Sequence, residues 1–131
     1  MVSALAAICG LGYSAYTFRK SSLRIKESNQ IQIVQDIMNN RQMAENNIIE
    51  TLNSEKFNDL IFRYTQYLNV WEWYSFLVNK EKITLPEIKN FYKETMLKDR
   101  KDIFEQFPEL DDENKFREFR ALCKELEEKT C

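Results

Sequence analysis

Histidine is missing altogether from the 131 residues, and there are only two glycines, two prolines and three cysteines. Without histidine the chain lacks the commonest general base and the commonest metal ligand, and a Ser/His or Cys/His nucleophile pair is ruled out. So few turn formers argue against a sheet-rich fold with many tight turns. Cys9, Cys123 and Cys131 are too few for a disulfide framework. No Gly-rich phosphate loop, Cys-x-x-Cys pair or Gly-x-Gly-x-x-Gly run occurs. The net charge of -2 gives no general drive toward nucleic acid. No cofactor, metal or catalytic constellation is implied.

Charge is also absent from residues 1–18, and Arg19, Lys20, Arg24 and Lys26 follow at once. That pattern reads as a transmembrane anchor over 1–20 with a basic juxtamembrane stop over 21–27. At about 1.5 Å per residue, eighteen helical residues reach about 27 Å, against a hydrocarbon core about 30 Å thick. The Lys/Arg bias sets the N-terminus outside and the rest of the chain in the cytoplasm, with the basic cluster at lipid headgroups. Ala6, Gly10 and Ser14 recur at four-residue spacing, a face that a second membrane helix can approach closely. Two alternatives stand beside this reading: a cleaved secretory signal, for which the basic residues lie on the wrong side, and a helix buried in a soluble core.

What the chain has in abundance is Lys, Glu, Leu, Ile and Asn, with 31% charged residues, which points to an all-α soluble domain over 28–131. The expected architecture is one N-terminal transmembrane helix followed by a small four- to five-helix bundle. The spacing of Ile31, Val34, Ile37, Met38, Ile48 and Leu52 predicts a first helix over 28–53, weakened by its asparagines and able to run on from the anchor as one rod. Ser54 suits a cap for a second helix over 55–80. That helix carries a stripe of Phe57, Leu60, Ile61, Tyr64, Leu68, Trp71, Ser75 and Val78. Val70, Trp73, Tyr74, Phe76 and Leu77 fill its other faces, so it is expected to be the covered hub of the domain.

Thr84-Leu85-Pro86-Glu87 predicts the next start, with Thr84 as cap and Pro86 in the first turn. Its apolar stripe is Ile88, Phe91, Tyr92, Thr95, Ile103, Phe104 and Phe107. The charged run Lys98–Asp102 predicts a kink or break, and Phe107-Pro108 ends the element. A last helix begins after Asp111 or Asp112, burying Phe116, Phe119, Leu122, Cys123 and Leu126.

Within Leu68-Asn69-Val70-Trp71-Glu72-Trp73, Asn69 and Glu72 lie three apart and share a helix face among aromatics. A carboxylate there needs a partner or takes up a proton. The structural reading pairs Glu72 with Arg63, Arg117, Arg120 or a tyrosine hydroxyl; the functional reading makes Asn69 and Glu72 a buried polar motif. Phe116-Arg117-Glu118-Phe119-Arg120 has the look of a basic-aromatic patch, but the acidic residues around it favour a solvated amphipathic face.

With these elements in place, the chain resembles a bacterial and archaeal family known only as a domain of unknown function. Leu68-Asn69-Val70-Trp71-Glu72 matches that family's Leu-Asn-x-x-Glu run, Ile83-Thr84-Leu85-Pro86 the gap before its next helix, and Phe116–Phe119 its closing aromatic segment. The resemblance implies an anchored helical domain and singles out Asn69 and Glu72; it transfers no activity. Asn79-Lys80-Glu81-Lys82 stands where a glycine is often expected after the central helix.

The expected function is a non-catalytic single-pass membrane protein: an interaction module or accessory subunit, with the bilayer and a membrane protein as partners and no nucleic acid. One alternative is a self-associating regulatory or sensor module, built on the long first helix as a coiled pair. Another is a small-ligand binder or enzyme using Glu72 in an aromatic pocket.

Overall fold

A computed structural model describes the backbone of residues 4–130 and the side chains of residues 27–129. The domain is all-helical, a bundle of four helices: α1 (Ala4–Asn53), α2 (Leu60–Asn79), α3 (Pro86–Gln106) and α4 (Arg117–Thr130), with short 3₁₀ turns at Phe57–Asp59 and Pro108–Leu110. Among the described residues there is no strand, and no helix is long and apolar enough to cross a membrane. The anchor expected over 1–20, with Ala6, Gly10 and Ser14, and the basic residues Arg19, Lys20, Arg24 and Lys26, lie outside the residues whose side chains are described.

α1 is one unbroken rod of 50 residues, about 75 Å long. Its asparagine-rich middle stays helical because Asn39, Asn40 and Asn46 face water, while Val34, Ile37, Ala44, Ile48 and Thr51 form the buried face. α1 packs antiparallel to α2, with Arg41 meeting Tyr67, and Gln30 meeting Thr84 just past the far end of α2. α2 is the hub and touches all three other helices. Leu68, Trp71, Tyr74 and Ser75 on α2, Ile37 on α1, Met96 on α3, and Phe119 and Cys123 on α4 are fully buried, together with Ile83 in the α2–α3 turn.

The two helix ends of the α1–α2 and α2–α3 turns are built alike. After α1, Glu55 takes φ 56°, its N–H donates to the Leu52 carbonyl (3.2 Å), and the Lys56 N–H donates to the Thr51 carbonyl (3.1 Å). After α2, Glu81 takes φ 58°, with Glu81 N–H to the Val78 carbonyl (3.1 Å) and Lys82 N–H to the Leu77 carbonyl (2.8 Å). Both are Schellman endings, in which the left-handed position favours glycine. A glutamate holds it in each case, which settles the turn geometry that the missing glycine left open.

Several sequence expectations need correction. α2 begins at Leu60, not 55, because Ser54 and Glu55 are used to end α1. The N-cap of α3 is Leu85 rather than Thr84. No side chain caps the first turn of α3; Gln30 of α1 instead fixes the turn ahead of it, its Oε1 taking the Thr84 and Leu85 N–H groups at 2.9 and 3.2 Å while its Nε2 donates to Thr84 Oγ1 (3.0 Å). α3 runs straight through Lys98–Asp102. Lys98, Lys101 and Asp102 are solvent-facing, and Asp99 and Arg100 find partners on other helices, so the charges do not interrupt its packing face. α4 starts at Arg117, because Asp112 first closes a turn by accepting the Asn114 N–H (2.9 Å).

Candidate functional site

Three constellations on α2 bear on what the molecule does. The first is the Glu72 carboxylate, which is half-buried and lies against the start of α4. Its Oε1 accepts the Glu118 N–H (2.7 Å) and its Oε2 the Phe119 N–H (3.0 Å). Those N–H groups belong to the first turn of α4, where no intrahelical acceptor exists and the helix dipole favours negative charge. Beside it, Asn79 Nδ2 donates to the Glu118 carbonyl (3.1 Å) and to Glu118 Oε2 (2.8 Å). Glu72 thus caps α4 from another helix. Its partners are backbone groups and not an arginine: Arg63 donates to Gln66 Oε1 (3.2 Å), Arg117 is exposed, and Arg120 pairs with Asp111 (2.6 Å).

The second constellation went unread in the sequence. Asp99 Oδ2 accepts from the Tyr67 hydroxyl and from Trp71 Nε1 (2.9 Å). Arg41 Nε donates to the Tyr67 oxygen (2.8 Å), and its Nη2 lies 3.6 Å from Asp99 Oδ2. The guanidinium sits over the Trp71 and Tyr67 rings at 5.3 and 5.6 Å. One residue from α1, two from α2 and one from α3 therefore close a polar junction at the edge of the core. Burial above all, and then the hydrogen bond to Asp99, hold the Tyr67 hydroxyl well above the usual tyrosine range. Burial and the Asp99 charge raise Tyr64 in the same direction. A group of Arg41, Tyr67 and Asp99 far apart in sequence carries no spacing signal, and Asp99 was hidden inside the run Lys98–Asp102.

The third is a surface. Asn69 does not share Glu72's environment: only about 60° separates them around the helix, but Asn69 is exposed on the outer side of α2 while Glu72 meets the start of α4. Around it, Phe62, Trp73 and Phe76 leave 59%, 43% and 44% of their surface open to water, on a helix otherwise packed with aromatics. Met43 of α1 flanks Trp73 across a shallow groove and is 63% exposed. The hub helix is thus covered on several sides, as its apolar faces predict, and open on one. Phe91, placed on the buried stripe of α3, is 74% exposed and leans edge-on against Tyr92.

A cleft of about 570 Å³ between α3 and α4 is lined by Arg100, Phe104, Asp111, Arg120 and Glu127 among others. Its arginines are paired, Arg100 with Glu127 (2.8 Å) and Arg120 with Asp111 (2.6 Å), and Arg120 also lies over Phe104 (5.0 Å). Beneath it, burial pushes the Cys123 thiol up to about 12 despite Arg100 nearby. Among the described residues no group of three or more His, Cys, Asp or Glu is arranged to hold a metal ion.

No protein-family model, curated protein or solved structure matches the chain. The functional reading rests on these three constellations and on the sequence.

Proposed function

We propose that this chain is a single-pass membrane protein without catalysis of its own, serving as an interaction module or small accessory subunit of a membrane protein complex. The observation that carries the reading is the open apolar side of α2. Phe62, Trp73 and Phe76 are large, adjacent on one face, and joined by Met43 from α1. The largest apolar patch on a protein surface is often a contact surface. The polar constellations support the same reading, since Glu72 and Asp99 are each taken up by partners that tie helices together.

The tether is the uncharged segment 1–18 followed by Arg19, Lys20, Arg24 and Lys26. The continuity of α1 from Ala4 into the bundle supports a rigid connection between that segment and the domain. N-terminus outside and bundle in the cytoplasm is the orientation that the basic residues favour.

The test is purification of the full chain from gently solubilised membranes, with mass spectrometry of what accompanies it. The expected result is recovery in the membrane fraction, in fixed ratio with another polypeptide chain, and loss of that ratio in Trp73→Glu. A chain found in the soluble fraction overturns the tether. A chain recovered as a monomer in fixed ratio with nothing overturns the interaction module.

A further inference from the structure

We infer that the open side of α2 is a self-association surface, on which a second copy of this chain packs with its α2 parallel and in register. The inference rests on the interaction-module reading and names its partner.

Its basis is a spacing. Phe62, Gln66, Asn69, Trp73, Phe76 and Lys80 follow one another at alternating intervals of four and three residues along α2. That is the repeat of a helix seam that faces another helix. Phe62, Asn69, Trp73, Phe76 and Lys80 are exposed, and Gln66 is half-buried and accepts from Arg63 (3.2 Å). The seam therefore exists on a face that the fold leaves free, and the core of α2 uses the opposite face.

The identity of the partner follows from the middle of the seam. In a parallel pair related by a two-fold axis, each seam residue meets its own counterpart. A charged residue there is repelled by itself, whereas an amide is self-complementary, since it carries both donor and acceptor. Gln66 and Asn69 occupy the centre, between the aromatic Phe62 on one side and Trp73 and Phe76 on the other. A single asparagine in such a seam is also a known device for fixing register and pairing. The one charged seam residue, Lys80, stands at the end, where its ammonium already lies 5.9 Å from the Phe76 ring.

The direction follows from the chain path. α1 runs antiparallel to α2, so residues entering from the N-terminus arrive near the C-terminal end of α2. Two copies tethered to one membrane must both send α1 toward the same side, which requires their α2 helices to be parallel. An antiparallel pair would point the two α1 rods in opposite directions.

The size of the surface suits a weak pair. The exposed fractions of Phe62, Trp73, Phe76 and Met43 correspond to roughly 400 Å² per copy. Doubled, this is about 800 Å² before any polar rim, in the range of transient contacts below about 1,200 Å². The pair is accordingly a weak one in solution, and tethering to a membrane strengthens it by raising the effective concentration.

The experiment is sedimentation equilibrium of the full chain in density-matched mild detergent, over a wide range of protein concentration. The wild type is expected to approach twice the 15.8 kDa chain mass as concentration rises. Asn69→Asp and Asn69→Lys are each expected to weaken self-association by about tenfold or more, through like charge at the axis. An equimolar mixture of the two is expected to pair again, a rescue that only self-juxtaposition of residue 69 produces. Asn69 is exposed, and unchanged helicity and unfolding midpoints in both variants exclude misfolding as the cause. A wild type that stays monomeric at every concentration overturns the inference, as does a dimer that Asn69→Asp leaves intact. If that monomer still binds a different polypeptide through the Trp73 face, the interaction module stands and only the second copy is wrong. If it binds nothing, both fail.

Discussion

Glu72 and Phe119, forty-seven positions apart, are joined by a 3.0 Å hydrogen bond from the Phe119 N–H to Glu72 Oε2, and Oε1 takes the preceding amide of Glu118 at 2.7 Å. The residue that precedes α4 is Phe116, which is buried with φ 53° and has no side-chain oxygen to offer the helix. The cap therefore comes from α2. Glu72→Ala is expected to destabilise the domain by about 1–2 kcal/mol, and Glu72→Gln by less, since one acceptor oxygen survives without the charge. Urea unfolding gives the magnitude. Amide exchange at Glu118 and Phe119 gives the mechanism: both should exchange faster in Glu72→Ala, and unchanged protection there means that Glu72 is not the cap.

Asp99 satisfies the Tyr67 hydroxyl and the Trp71 indole at once and balances Arg41. Asp99→Ala strands two buried donors and a cation in one step. The expected cost is about 2–4 kcal/mol, whereas Tyr67→Phe, which removes a donor without stranding the carboxylate, costs about 1 kcal/mol. The double variant should fall short of the sum of the two, because the second change removes a group already left without its partner. Strict additivity in thermal unfolding would show that the two residues do not act as one unit.

The helices were legible in the sequence because their periodicity is local. Pro86 at the start of α3, the stop at Phe107-Pro108, and the buried Phe119, Leu122 and Cys123 of α4 follow from spacing alone. What was not legible is whatever depends on two distant segments. Gln30 engages Thr84 and Leu85 ahead of α3, Glu72 finds backbone amides where an arginine was expected, and Asp99 inside a charged run bonds to α2. Asn69 was misplaced for a different reason. Sharing a helix face within three residues is a loose criterion, and the boundary between the α4-facing side and the open side of α2 falls between Asn69 and Glu72. The same four-and-three spacing that predicts a buried stripe also describes the exposed seam of Phe62, Asn69, Trp73 and Phe76, and only the fold tells which of the two is covered.

Glu55 and Glu81 occupy left-handed positions at φ 56° and 58° with their Schellman hydrogen bonds formed. A β-carbon there is strained, and glycine relieves the strain at some cost in unfolded-chain entropy. Glu55→Gly and Glu81→Gly should each stabilise the domain by about 0.5–1 kcal/mol. The two turns are separate, so the effects should add in the double variant. Loss of stability in either case would contradict the left-handed assignment, because a glycine in an ordinary helical position destabilises.

Stability should fall on the alkaline side. Burial holds the Cys123 thiol up to about 12 against an ordinary value of 9.0, and Tyr67, Tyr74 and Tyr64 lie above their ordinary 10.0, with burial the first cause in each. For each group the folded state keeps its proton to higher pH than the unfolded chain does. The unfolded state therefore binds fewer protons in that window, and unfolding becomes easier as pH rises. The contribution is complete below about pH 9 and is lost in two stages, the first from Cys123 between about 9 and 12 and the second from the tyrosines above about 10. Each group adds at most about 1.4 kcal/mol per pH unit to the slope while pH lies between its two values. Urea unfolding at a series of pH values from 8 to 11 measures the fall, and Cys123→Ala should delay its onset by about one pH unit. A midpoint that stays level to pH 11 in the wild type would mean that these four groups meet water in the folded protein.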